Sequence, residues 1–275
     1  MNIAQSLQRA QTLGLTRIDA QLLHLHTLGR EPNDRAWLLA HDQDELPLDS
    51  ATRLEQLMQR RLAGEPIAYI TGFKEFFGLK LQVDARVLDP RPDTETLVEW
   101  ALELLPEAAP RRVLDLGTGS GAVALALQHE RPACAVTAVD ASADALAVAS
   151  ANAHRLQLPV QYVLSHWMDA VQGAFDLIVS NPPYVVDNDP HLEALTHEPL
   201  SALTSGADGL DDIRQIIAQT PWHLSPDGWL LLEHGWDQAP SVQALLREAG
   251  FVQVQSRKDL AGMDRCTGGQ WHSER

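Results

Sequence analysis

From Arg111 onward the chain alternates between two hydrophobic periods, and nothing else in it constrains the fold as much. Val113-Leu114-Asp115-Leu116 reads as a buried strand, and residues 122–128, rich in alanine and leucine, as a helix. Residues 135–140 form the next expected strand, followed by a helix from 142 to about 156. Strands over 160–164 and 175–180, a helix from 211 toward 222, a strand over 228–234 and a helix over 239–249 continue the pattern. Such repetition marks a parallel α/β sheet, because a parallel pair needs a crossover long enough to hold a helix. Residues 251–256 and about 265–271 are expected to close it as an antiparallel pair.

The first third is different. Residues 2 to about 63 read as short helices with no strand between them, hence a small helical domain. Leu54, Leu57, Met58 and Leu62 share one helical stripe, with Asp49 or Ser50 as N-cap and Gly64 as C-cap. Ile18, Leu22, Leu25 and His26 form a second stripe ending at Gly29, and Trp37-Leu38-Leu39 reads as a core patch. His24 and His26 stand two apart, so they cannot share a helix face as a metal pair; they are expected at the helix surface or the core edge. Residues 65–95 read as a linker with a hairpin, since Leu79 to Asp84 alternates as a strand. The expected division is a helical domain over 1–78, a hairpin linker over 79–95 and a catalytic domain over 96–275.

Composition narrows the class. With 275 residues the chain is long enough for two domains with real cores. Its formal net charge of −16 argues against a broad electrostatic grip on nucleic-acid phosphates, and solubility is the simpler reading of it. Cys134 and Cys266 are the only cysteines, too few for a disulfide framework or a zinc site, and Cys134 reads as a small buried hydrophobe. Polar residues interrupt the N-terminus where a signal peptide would be apolar, and no window approaches a membrane span. The cytoplasm is the expected compartment.

Three features carry chemistry. The turn Gly117-Thr118-Gly119-Ser120-Gly121 between strand and helix exposes bare backbone at a helix N-terminus. Its third glycine comes one residue too early for a dinucleotide pyrophosphate cradle. Asp140 ends the next strand, where an acidic side chain accepts hydrogen bonds from ribose hydroxyls; the plainer alternative is an N-cap, a role for which Ser142 is better placed. Asn181-Pro182-Pro183-Tyr184 follows the strand over 175–180. Proline has no N–H, so the strand stops abruptly and leaves carbonyls without ladder partners. The Asn181 carbonyl and a backbone carbonyl then suit a planar –NH2 group, with the Tyr184 ring against its flat face. A nucleoside cofactor beside an –NH2 clamp implies group transfer to nitrogen. S-adenosylmethionine fits: its sulfonium methyl needs an aligned nucleophile and little other activation.

These stretches resemble the HemK/PrmC family, methyltransferases of the glutamine side-chain amide in the Gly-Gly-Gln loop of peptide-chain release factors. The resemblance rests on Gly64-Glu65-Pro66-Ile67-Ala68-Tyr69-Ile70-Thr71-Gly72, Pro90-Arg91-Pro92-Asp93-Thr94-Glu95, the glycine turn, Val179 to Tyr184, Glu198-Pro199-Leu200-Ser201-Ala202-Leu203 and Leu232-Glu233-His234-Gly235. It implies a class I methyltransferase domain with a Rossmann-like seven-stranded sheet, and a small all-α N-terminal domain that helps hold the release factor. It implies that Gly117, Thr118, Gly119, Ser120, Gly121, Asp140 and Trp167 contact S-adenosyl-L-methionine, which leaves as S-adenosyl-L-homocysteine. Asn181 would sit at the junction of cofactor and substrate, and Pro182, Pro183 and Tyr184 would complete the glutamine site, with Asn181, Pro182 and Tyr184 catalytic. One departure stands out: Ser165-His166-Trp167 carries a histidine where the family usually has an acid.

Two other amines are weighed against this. Asn-Pro-Pro-Tyr also occurs in enzymes that methylate adenine N6 or cytosine N4, but the acidic balance and the lack of a clustered basic segment count against a DNA substrate. A sister group methylates a glutamine of a ribosomal protein; the stretches around Arg91 and Glu65 favour the release-factor branch. A non-catalytic module is disfavoured by the intact glycine turn and Asn181. The chain also contains Gly268-Gly269-Gln270, expected to lie in a strand and to be coincidental.

Overall fold

A computed structural model describes residues 1–272; residues 273–275, the end of the expected catalytic domain, lie outside the described residues. Residues 1–73 together with 193–197 form one compact unit, and residues 74–192 with 198 onward form another. The contact boundary thus falls after Phe73, ahead of the expected one at 78, and the hairpin from its second residue, Lys74, packs with the second unit.

The first unit holds α1 (Ile3–Thr12), α2 (Arg17–Thr27), α3 (Arg35–Ala40), α4 (Leu48–Leu62) and α5 (Ile67–Thr71). Its core gathers Ile3, Ala10, Leu23, Leu25, Leu38, Leu54, Leu57 and Met58. Three details differ from the sequence reading. In α2 the buried face runs through Ala20, Leu23 and His24, whereas Ile18 is exposed. His24 is a core residue: burial lowers its pKa, Nδ1 donates to the Ala20 carbonyl, and the neutral ring's Nε2 accepts from Ser6. Of Trp37-Leu38-Leu39 only Leu38 is fully buried, while Leu39 is exposed and Trp37 stacks on His41. Helix α4 starts at Leu48, after Pro47 and before both expected caps, and Leu62 is at its exposed edge. Gly64 follows its end with φ of 94°, a left-handed position that suits glycine.

The second unit opens with the hairpin β1 (Phe73–Phe76) and β2 (Leu79–Gln82), a 3-10 turn over Pro92–Thr94, and α6 (Glu95–Leu104). Then come β3 (Arg112–Leu116), α7 (Ala122–Glu130), β4 (Ala135–Asp140), α8 (Ala143–Leu156), β5 (Val160–Leu164) and β6 (Phe175–Ser180). The unit ends with α9 (Asp211–Gln219), β7 (Leu224–Glu233), α10 (Ala239–Glu248), β8 (Val252–Lys258) and β9 (Asp264–Gln270). The sheet has seven strands in the order β5-β4-β3-β6-β7-β9-β8. The first five are parallel, and β9 pairs antiparallel with both β7 and β8. This is the expected class I architecture.

Two consequences position the site. The order reverses between β3 and β6, so the loops after them diverge and leave a crevice at the carboxyl ends of the strands. Side chains alternate between faces. Leu114, Leu116, Ile178, Leu230 and Leu232 enter one apolar core with Ile213, Ile216 and Val242 of the flanking helices. Asp115 and Glu233 therefore point to the opposite face, both fully buried.

Gly268-Gly269-Gln270 lies in β9. A Cβ on Gly268 would sit 2.5 Å from Leu231 Cδ2 and 2.9 Å from Trp100 Cη2, so this glycine admits the α6 tryptophan against the sheet. Among the described residues no helix is long and apolar enough to cross a membrane.

Candidate active site

The glycine turn is held in shape by two carboxylates on neighbouring strands. Asp115, in β3, accepts on Oδ2 from the Thr118 hydroxyl at 2.6 Å and from the Ala124 N–H at 3.2 Å. Burial pushes its pKa up to about 7 despite those two bonds, and the nearby Asp140 adds to the rise. Asp140, at the end of β4, accepts from the Gly119 N–H on Oδ2 and from the Ser142 N–H on Oδ1, each at 2.9 Å. Ser142, not Asp140, caps α8, through its bond from the Ala145 N–H. Each Asp140 oxygen keeps a lone pair after these bonds, so it can still accept a ribose hydroxyl. Gly117, Gly119 and Gly121 all have positive φ. At Gly119 a Cβ would meet nothing within 4 Å, so this peptide faces open space.

Trp167 closes one side. Its φ of 43° is unusual for a bulky residue, and burial together with an indole N–H bond to Asp212 Oδ1 at 3.1 Å holds it there. Its ring lies over Gly117, where a Cβ would come within 3.4 Å. Beside it His166 is mostly exposed, and its Nδ1 meets the Gln215 side chain.

These elements enclose a cleft of about 360 Å³ lined by Gly117, Gly119, Asp140, Trp167, Asn181 and Pro183, with His166 at its edge. Of the other expected site residues, Thr118 and Ser120 are buried in the turn, and Gly121 packs against Leu125 and Ala149. Pro182 is buried and Tyr184 half-buried, both outside the cleft lining. Three further segments line the cleft with residues to which the sequence reading gave no site role. Asp212 reaches the cleft from α9. Pro199, Ser201 and Ala202 line it on a segment anchored by Glu198, which pairs with Arg91 at 2.5 Å. Arg86 lines it from the stretch after the hairpin.

At the end of β6 the Asn181 side chain donates through Nδ2 to the Thr94 hydroxyl at 3.1 Å. Among the described residues no hydrogen bond reaches Asn181 Oδ1 or the Pro182 carbonyl. These are the two acceptors that an –NH2 clamp requires. Tyr184 donates its hydroxyl toward Glu233 Oε1 at 3.4 Å, and its backbone carbonyl accepts from Gln238 at 3.1 Å. Burial and the adjacent Glu233 push the Tyr184 pKa up, so it remains a neutral phenol. Glu233 itself is raised by burial to about 7.

A Rossmann-like sheet, a glycine turn tied to an acid on the next strand, and an amide with free acceptors across the switch point define a methyltransferase. Comparison with known proteins agrees. Residues 94–210 match the model of the methyltransferase small domain, and residues 2–72 match that of the PrmC N-terminal domain. The chain is 50% identical to the release factor glutamine methyltransferase of Bordetella pertussis, over 93% of this chain and 95% of that one. It is 49% identical to the enzyme of that name from Yersinia pestis, over 92% and 91% of the two chains. In fold it is similar to a methyltransferase structure from Pyrococcus furiosus, with a TM-score of 0.57, 19% identity, and 80% and 100% of the chains covered. The chain belongs to the release factor glutamine methyltransferase family.

Proposed function

We propose that this enzyme transfers the methyl group of S-adenosyl-L-methionine to the side-chain amide nitrogen (N5) of the glutamine in the Gly-Gly-Gln loop of a peptide-chain release factor, in the cytoplasm. One observation carries the reading: Asn181 Oδ1 stands without a partner in the same cleft as Gly117, Gly119 and Asp140.

The residues fit the cofactor. Gly119 leaves backbone open to a ligand, Asp140 retains acceptor capacity for ribose, and Trp167 supplies an apolar wall. When bound, S-adenosylmethionine supplies an electrophilic methyl on a cationic sulfur. The chain's own residues act on the nucleophile. An amide nitrogen is a poor nucleophile because its lone pair is delocalised. Accepting its two N–H bonds at Asn181 Oδ1 and the Pro182 carbonyl orients it and favours the positive charge that develops on it during transfer. No base is needed before transfer, since the proton leaves the nitrogen afterwards. Pro183 lines the cleft beside the glutamine stem, and Tyr184, outside the lining, backs the clamp as the family resemblance implies. The helical unit over residues 1–73 serves to hold the release factor, as the family resemblance implies.

The test is transfer of tritiated methyl to release factor, release factor with its glutamine replaced, ribosomal protein and unmethylated DNA. Label on the intact release factor alone is expected; label on DNA and not on release factor overturns the reading. Asn181→Ala is expected to abolish transfer while circular dichroism stays unchanged, and full activity in that variant refutes the clamp.

A further inference from the structure

The loop that carries the clamp is stiff in its middle and depends on its ends. Proline locks its own φ and holds the residue before it extended. Asn181 and Pro182 each precede a proline, so residues 181–183 move as a short rod. Neither proline has an N–H with which to tie itself down. The Pro182 carbonyl in the middle therefore points where the two ends send it. At the near end Ser180 pairs with Leu116 and Leu232, and its hydroxyl donates to the Leu116 carbonyl at 2.8 Å. At the far end the Tyr184 N–H donates to the Leu203 carbonyl at 3.2 Å, but Leu203 itself lies outside the sheet.

Gln238 ties that end to the sheet. It closes a turn after β7, in which its own N–H donates to the Gly235 carbonyl at 3.0 Å and its Oε1 accepts from the Gly235 N–H at 2.8 Å. Gly235 follows His234, which is fully buried and fixed by a 2.6 Å bond between its Nε2 and the Thr267 hydroxyl of β9. A backbone N–H can only donate, so the amide oxygen of Gln238 faces Gly235 and its nitrogen is turned the other way. That nitrogen donates to the Tyr184 carbonyl at 3.1 Å, with the Asp208 and Gly209 carbonyls at 3.3 Å and 3.4 Å. Gly209 makes the room: a Cβ there would sit 2.2 Å from the Tyr184 carbonyl oxygen and 2.8 Å from Gln238 Nε2. The chain thus leaves the sheet at β6, crosses Asn-Pro-Pro-Tyr, and is tied back to the end of β7, the neighbouring strand. We propose that Gln238 is a positioning residue for methyl transfer: its amide holds the far end of the rod over 181–183 and so aims the Pro182 carbonyl at the substrate nitrogen. This rests on the clamp reading of Asn181 and Pro182.

The donor is the part of Gln238 that reaches the clamp, and one substitution isolates it. Gln238→Glu keeps an oxygen for the Gly235 N–H but sets a second oxygen against the three carbonyls, where an ionised carboxylate has no proton to give. Protonated, the same side chain donates again and recovers the Tyr184 contact. The charged groups around this point are Asp237, Asp208 and Asp211 with their partner Arg214, and, beyond Tyr184, Glu233 and Arg265. Acids outnumber bases among them, which favours the protonated form of the introduced carboxyl.

The experiment measures kcat, KM for release factor, cofactor affinity and melting temperature in the wild type, Gln238→Glu, Gln238→Met and Asn181→Ala, from about pH 5.5 to about pH 8.5. At the alkaline end kcat is expected to fall about tenfold to a hundredfold in both Gln238 variants, with KM and cofactor affinity nearly unchanged. Relative to wild type, Gln238→Glu is expected to recover most of that loss at the acid end, whereas Gln238→Met, which has no proton to regain, is not. Wild-type kcat in both variants beside an inactive Asn181→Ala overturns the role of Gln238 and leaves the clamp standing. An active Asn181→Ala removes the clamp itself. A loss in Gln238→Glu that is the same at every pH overturns the role of the donor. So does a fall in kcat that cofactor affinity and melting temperature follow, because it assigns the effect to general loosening. If Gln238→Met does not fold, Gln238→Glu compared with itself across the pH range still decides.

Discussion

Asp115→Asn tests the electrostatic cost of shaping the glycine turn. Asp115 is 2% exposed, and burial raises its pKa from 3.8 to about 7. Between those values the unfolded chain has lost this proton and the folded chain has kept it. The folded state binds more protons, so stability falls as pH rises through the window. The full difference amounts to about 4 kcal/mol, and the part between pH 5 and pH 8 to about 3 kcal/mol. Both hydrogen bonds to Asp115 fall on one oxygen, Oδ2. The asparagine carbonyl can occupy that place and accept from both Thr118 and Ala124, so the variant keeps the turn and loses the titration. Urea unfolding of both proteins at several pH values reads the effect. Subtracting the two curves cancels every other titrating group, Glu233 included. The expected result is a variant that gains on the wild type by about 3 kcal/mol from pH 5 to pH 8, with cofactor binding retained. A difference independent of pH would show Asp115 ionised at ordinary cost and would refute the reasoning.

Two further variants probe the cofactor wall and the sheet. His166→Asp is expected to preserve or tighten cofactor affinity, since a neutral ring nitrogen accepts one bond where a carboxylate accepts several, and a large loss in a calorimetric titration rejects an adenine role for this position. Gly268→Ala places a methyl 2.5 Å from Leu231 Cδ2 and 2.7 Å from the Leu230 carbonyl; a loss of about 2 kcal/mol or more is expected in thermal unfolding, and a wild-type melting temperature refutes the packing role assigned to that glycine.

What the sequence disclosed was local, and what it hid depended on register. The glycine turn, the strand ends at Asp140 and Asn181, and the α/β alternation are readable because each follows from a few adjacent residues. The contacts that orient them are not. Thr94 meets Asn181 across 87 positions, and Tyr184 meets Glu233 across 49. Asp212 joins Trp167 from a helix 45 positions away. No period or propensity reports such pairs, because they exist only once elements far apart in sequence are side by side: β6 with β7 for Tyr184 and Glu233, the turn before α6 with the end of β6 for Thr94 and Asn181, and α9 with the segment after β5 for Asp212 and Trp167. His24 shows the same limit in the helical unit. A histidine looks like a surface residue until Ser6, from another helix, satisfies its second nitrogen.

The chain's own Gly-Gly-Gln shows what the tripeptide lacks as a recognition signal. Gln270 is paired in β9 with Trp229 of β7 on one side and Val252 of β8 on the other. Its side-chain Nε2 donates to the Asp227 carbonyl at 3.0 Å, and its Oε1 accepts from Gln253 at 2.7 Å. Methylation would require breaking both bonds and peeling the strand from the sheet. Position opposes it as well. Gln270 pairs with the residue at position 229, whereas Asn181 lies beyond the strand end marked by Glu233, about 13 Å further along the strand direction. The same three residues are therefore locked in a ladder here, whereas the clamp proposed at Asn181 and Pro182 needs an amide with both N–H groups free. A site that offers two acceptors to a bare amide selects for that freedom before it selects for sequence. Discrimination among mobile glutamines must then come from outside the cleft, which is the work that the proposed function gives to the helical unit.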